Sequence, residues 1–240
     1  MKRMLRAGAL AGAAGGVGLA LFLRLVGEGA ISDAVALERS RHGVHQEMFS
    51  RGTQQVGGMV GAVVYGVCMG LIVAVAFAAV RHRLSVRGDW RRSLLMAATG
   101  FVAISLVPFL KYPANPPAVG APGTIGRRTA LYLLMLGLSI VAVWATWRLW
   151  TWAEARGWDE RRRVTAAVGT FVVLVGAGYA LLPGSPDPVT APAQLMWRFR
   201  VASLGGAAAY WTVLGLVLGA LLERRPTGAR EPELTLSDRR

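Results

Sequence analysis

Apolar residues in this chain are gathered into six runs, and that one feature excludes most folds. The runs cover residues 7–26, 56–80, 93–110, 130–150, 164–182 and 201–222. Each is close to the ~20 residues that a helix needs to cross a hydrocarbon layer of about 30 Å. Inside a bilayer the backbone N–H and C=O groups find no water, so an unbroken apolar run satisfies them by forming a helix. The runs therefore predict an all-α fold, a polytopic membrane bundle of about six transmembrane helices in one domain over residues 1–225. Composition agrees: 54% of residues are hydrophobic, 17% are charged and the mean hydropathy is +0.44, less charge than a soluble domain of this length carries. Residues 226–240 are polar and charged and read as a disordered tail.

The first run follows MKRMLR and has the outline of a signal peptide. Its apolar core exceeds the usual 7–15 residues of such a segment, and the small-residue triplet Ala34-Val35-Ala36 lies far downstream. It reads as an uncleaved span; cleavage would leave five. The formal net charge of +14 could point to nucleic acid, but the arginines flank apolar runs, so the bilayer is the partner they imply. Residues 1–6, 81–92, 151–163 and the tail after Leu222 hold 17 Lys and Arg, against 8 in 27–55, 111–129 and 183–200. Basic loops stay in the cytoplasm, so both termini are expected there, in agreement with an even number of spans.

The other face has a different texture. Residues 111–129 carry Pro113, Pro116, Pro117 and Pro122, and 183–200 carry Pro183, Pro186, Pro188 and Pro192. Proline fixes φ and favours an extended chain, so these loops read as stiff caps or simply as helix stops. Within the spans, Gly8 and Gly12, Gly57 and Gly61, Gly66 and Gly70, and Gly215 and Gly219 are spaced four apart. Such pairs let helix backbones approach closely in lipid. They predict that spans 1, 2 and 6 pack inside the bundle or against a partner, a second copy included. Trp144, Trp147, Trp150 and Trp152 crowd one end of span 4 as an interfacial anchor.

Few residues offer chemistry. No span carries an ionisable group near its centre, and Arg24 and Arg148 sit where they can reach the surface. There is no H-E-x-x-H, G-x-S-x-G, Walker or G-x-G-x-x-G motif, so neither an enzyme nor a permanently bound cofactor is expected. Residues 36–47 hold the one ligand-like cluster. If helical, Glu38, His42 and His45 fall on one face, with Glu47 close by, and imidazole with carboxylate suits cobalt, nickel or zinc. The competing reading is a solvated surface helix, since Arg39 and Arg41 repel cations and Gly43 weakens the helix. Met59, Cys68 and Met69 offer sulfur but are ordinarily packing residues. Pro108 would kink span 3 and free a carbonyl, and with Ser105 nearby could line a polar pocket. The lone Cys68 precludes an intrachain disulfide.

Three pieces of the chain together resemble the CbtA family of probable cobalt transporter subunits. They are the basic start with its Ala/Gly-rich first span and acidic outer segment, the stretch LVPFLKYPANPPAVGAPGTIGRRTALYL, and LLPGSPDPVTAPAQLMWRFRVASLGG. The last, with Pro183, Pro186, Pro192, Phe199, Arg200 and Ser203, is the most specific. The resemblance covers about residues 1–225. It implies uptake of divalent cobalt for cobalamin synthesis with a small one-span partner, CbtB, whose histidine-rich end binds metal. It implies no agreed ligand residues, although Glu38 falls at the acidic outer segment. The family is described with five spans, one fewer than the count here. The alternative class is a non-transporting membrane scaffold that assembles with another protein through its glycine faces and stiff loops.

Overall fold

The computed structural model describes residues 1–42, 49–84, 86–117, 119–187 and 191–223. Eight helices follow in order: α1 (Lys2–Phe22), α2 (Glu28–His42), α3 (Arg51–Val80), α4 (Asp89–Gly100), α5 (Val107–Lys111), α6 (Ile125–Ala155), α7 (Glu160–Leu181) and α8 (Ala193–Glu223). Two π-helical segments are spliced into this series. Leu23–Gly27 joins α1 to α2 and Phe101–Leu106 joins α4 to α5, so each joined pair forms one long rod. Among the described residues, six helical rods are long and apolar enough to cross a membrane: Lys2–Ser40, Arg51–Arg83, Asp89–Lys111, Ile125–Ala155, Glu160–Leu181 and Ala193–Glu223. Each contains one of the six predicted runs, apart from the last residue of the fifth. The count of six is one more than the five spans of the family description. The tail from residue 224 lies outside the described residues.

The helix ends follow local chemistry. Ser50 caps α3, its hydroxyl oxygen accepting from the Thr53 N–H at 3.3 Å, and Asp159 caps α7 by accepting from the Arg162 N–H at 2.9 Å. A side-chain oxygen at that position satisfies an N–H that the helix leaves unpaired. The turn between α6 and α7 runs through Gly157 at φ +70°, a left-handed conformation that favours glycine.

The core is built around α8. Its buried row Tyr210, Trp211, Leu214, Leu218 and Leu222 meets Ala7 and Ala11 of α1, Val73 and Phe77 of α3, and Ala97 of α4. Helices α1 and α3 touch backbone to backbone. A Cβ built on Gly8 would lie 2.5 Å from the Gly70 carbonyl oxygen, and one on Gly16 would lie 2.5 Å from that of Ala62. Gly12 lies closer still to Gly66. Gly215 and Gly219 of α8 receive Ala97 and Trp90 of α4.

Gly57 and Gly61 depart from the expected packing within the bundle, since a Cβ on either would meet nothing within 4 Å. The physical reason is helical phase. The row facing α1 is Ala62, Gly66 and Gly70, and residues 57 and 61 lie about 100° around the helix from it.

The α6–α7 hairpin stands to one side of the core and joins it mainly through α5 and the adjacent π segment. The two ends of the bundle differ. At the basic end Arg3 donates to the Leu222 carbonyl at 3.0 Å, which places the start of α1 beside the end of α8. At the proline-rich end the loops fold into an ordered cap over a second small core of Ala30, Ala34, Val119, Ala191, Leu195 and Met196.

Candidate functional site

Between the core and the α6–α7 hairpin lies a cleft of about 360 Å³. Its walls are Tyr65 and Met69 of α3, Ser203, Leu204 and Ala207 of α8, and Tyr132 and Leu136 of α6, with Ile104, Ser105 and Phe109 behind them. Counted along α6 and α8 it lies in the half of the bundle nearer the cap, and along α3 it lies at mid-helix.

The back wall exists because of Pro108. Proline has no N–H to give the carbonyl four residues earlier, which belongs to Ile104, and its ring crowds that turn. The helix answers by widening to π geometry over Phe101–Leu106, immediately before the fully buried Pro108. Such bulges are frequent at functional sites. The bulge is pinned from two sides. Trp211 Nε1–H donates to Ser105 Oγ at 2.9 Å, and the Tyr179 hydroxyl donates to the Val107 carbonyl at 2.7 Å. Gly100 makes room for the indole, since a Cβ there would lie 2.5 Å from Trp211 Cη2.

Four hydroxyl-bearing residues thus line the cleft among apolar ones. Ser203 donates to the Phe199 carbonyl at 2.8 Å, which leaves its oxygen lone pairs available to the cleft. Ser105 accepts from the indole and keeps its own proton. Tyr65 and Tyr132 complete the set, with the Met69 thioether as a soft neighbour. Among the described residues, no charged side chain lines the cleft. Hydroxyl oxygens accept hydrogen bonds from the water shell of a cation or contact the ion itself, and their neutrality avoids a deep trap. A pathway has to bind well enough to admit an ion and weakly enough to release it.

The cap over this end is held by one carboxylate. Asp187 is buried; its Oδ1 accepts from the Thr124 hydroxyl at 2.5 Å and from the Ala121 N–H at 3.2 Å, and its Oδ2 forms an ion pair with the Arg128 guanidinium at 3.0 Å. The Thr124 hydrogen bond is the chief cause that holds its carboxyl below the ordinary Asp value; burial opposes this, and the Ala121 N–H and the Arg128 charge add to it. Gly120, at φ +111°, lets the loop pass, because a Cβ would lie 2.5 Å from Arg128 Nη1 and 2.7 Å from Asp187 Oδ2. Arg200 reaches the Asn115 side-chain oxygen at 3.3 Å, Tyr112 donates to the Pro183 carbonyl at 2.7 Å, and Lys111 donates to the Tyr179 carbonyl at 2.8 Å. The two proline-rich loops are thus tied to each other and to α5, α7 and α8.

The ligand-like residues predicted from sequence fall elsewhere. Glu38 is exposed on α2, which ends at His42; the side chain of His42 and the whole of His45 and Glu47 lie outside the described residues. Among the described residues, no group of three or more His, Cys, Asp or Glu is placed to hold a metal ion. Cys68 is exposed on the outer surface of α3. Ser105 and Pro108 had a local signal in the sequence, a proline inside an apolar run. Asp187, Tyr65 and Tyr132 had none, because their partners are distant in the chain. Glu28 was likewise missed: it accepts from Arg51 at 2.7 Å and from Gln55 at 2.9 Å, 23 and 27 residues away.

Comparison with known proteins adds one finding. A family model described as "Probable cobalt transporter subunit (CbtA)" matches residues 1–223. No curated protein and no solved structure matches the chain.

Proposed function

Since the chain belongs to the CbtA family, a family of transporter subunits and not an enzyme class, we propose that this multi-pass membrane protein is the channel-forming subunit of an uptake system for divalent cobalt, or nickel, serving cobalamin synthesis. The observation that carries this reading is the hydroxyl-lined, uncharged cleft beneath the cap. A hydrated divalent cation is small enough for about 360 Å³, and the lining offers oxygen without a fixed charge to immobilise it. The basic end is cytoplasmic and carries both termini, following the excess of Lys and Arg there. The cap faces outward, and Glu38, His42, His45 and Glu47 of the first outer segment gather ions. A small one-span, histidine-rich subunit of the CbtB kind delivers the ion, which accords with a chain so poor in buried ligands.

The test is accumulation of radiolabelled cobalt in a host lacking its own importers, with the chain alone, with its partner, and with His42 and His45 both changed to Ala. Uptake that requires the chain supports the proposal, and a fall in the double variant assigns capture to the first outer loop. Absence of uptake in every arm, with the protein present in the membrane, refutes it. A second reading draws on Gly57 and Gly61, which no helix of this chain covers. On that reading the chain is a scaffold whose open glycine face receives another helix, from a larger permease or a second copy, and copurification of a separate permease would favour it.

A further inference from the structure

A second cavity, of about 230 Å³, opens between the α1–α2 rod and the start of α3, away from the central cleft. Its floor is apolar, made by Ala20, Leu23, Ile31, Gly58, Met59 and Ala62. Its rim is polar and lies at the cap end of the span. There Arg24 and Arg51 flank Glu28, with Gln54 and Gln55 beside them. We propose that this groove is a binding site for an anionic phospholipid, the acyl chain lying along the apolar floor and the phosphate held between Arg24 and Arg51.

Three observations carry the assignment. The first is charge. Glu28 neutralises one guanidinium, since Arg51 pairs with it at 2.7 Å, and Arg24, exposed, contributes a further positive charge beside it. The rim therefore keeps one uncompensated positive charge, which one phosphodiester balances. Guanidinium presents a planar fork that matches phosphate oxygens. The second is the groove itself. Leu23 and Arg24 sit on the π-helical segment Leu23–Gly27, where the wider turn carries one residue more than an α-helical turn. On the facing helix, a Cβ on Gly58 would meet nothing within 4 Å, so the floor has room for a chain. The third is depth. An arginine near the end of a membrane helix extends its charged head to the interface, the level at which lipid phosphates lie.

The probe is native mass spectrometry of the purified full chain, released from nanodiscs of phosphatidylglycerol, of phosphatidylcholine, or of a mixture of the two. Arg24→Gln and Met59→Trp are measured beside the native protein. The expected result is one retained phosphatidylglycerol per chain and little phosphatidylcholine. Arg24→Gln should lower that retention about fivefold, the weight of one basic residue against an anionic surface. Met59→Trp should lower it by filling the floor while leaving both arginines in place. Inorganic phosphate and glycerol phosphate should not compete. Equal retention of the two lipids, unchanged retention in Arg24→Gln, or displacement by free phosphate would each overturn the assignment. The readout needs no transport, so its outcome is separate from that of the cobalt experiment.

Discussion

Gly12, at the crossing of α1 and α3, makes a sharp quantitative prediction, because the three nearest obstacles to a methyl there are all backbone. In Gly12→Ala, the new methyl would lie 2.9 Å from both the Gly66 carbonyl carbon and the Gly70 Cα, with the Gly66 carbonyl oxygen nearer still. Carbon atoms rest at roughly 3.5 Å or more, and no rotamer change moves a helix backbone. The two helices must therefore part by at least about 0.6 Å. Overpacking of this kind costs about 1–3 kcal/mol, and here it belongs near the upper end. The intrinsic helix preference for Ala over Gly returns at most ~1 kcal/mol, which leaves a net loss of about 2 kcal/mol. Gly61→Ala is the matched control, since its methyl meets nothing within 4 Å, and it should be neutral or gain up to ~1 kcal/mol. The pair should then differ by roughly 30- to 150-fold in folding equilibrium. Unfolding both variants by sodium dodecyl sulfate titration in mixed micelles, followed by tryptophan fluorescence, reads this difference. Equal midpoints for the two would refute the proposed division between a packed and an open glycine row.

The remaining predictions concern the cap and the cleft. The Asp187 carboxyl lies below its ordinary value of 3.8, so its contribution to stability is fully present above that value and is lost as pH falls through the lower folded one. Amide protection factors in residues 119–124, relative to the intrinsic exchange rate at each pH, should therefore be steady from pH 5 to 8 and fall only below about pH 4, whereas Asp187→Asn should show the loosened cap at neutral pH. In the cleft, Tyr132→Phe and Ser203→Ala each remove one hydroxyl and should lower cobalt accumulation about 2- to 10-fold, the weight of one hydrogen bond, at unchanged membrane level. Accumulation equal to that of the native chain in both would remove the cleft from the pathway.

Some of this architecture was legible in residue order. Pro108 inside an apolar run announced a helix irregularity, and the π segment ending at Leu106 is that irregularity. The prolines of 111–129 and 183–200 marked two loops as stiff caps or helix stops, and described residues of both loops meet in the cap. The glycine pairs were harder, because spacing identifies a row that can pack without saying which row does. Gly66 and Gly70 are buried against α1 whereas Gly57 and Gly61, equally spaced, face outward. The carboxylate that joins the loops could not be picked out, since Asp187 looks like any loop aspartate until Thr124 and Arg128, about 60 residues earlier, are brought to it.

The sequence by itself determined that the chain spans a membrane with six helices. Run length against bilayer thickness is a local property, and a backbone in hydrocarbon has almost no alternative to a helix. Only the tertiary structure decided which helix is central, which glycines are buried and where hydroxyls and charges converge. In lipid every apolar face is about equally comfortable facing outward, so hydrophobicity cannot select partners. Selection falls instead to backbone approach and a few long-range contacts: Gly12 on Gly66, Trp211 on Ser105, Thr124 and Arg128 on Asp187.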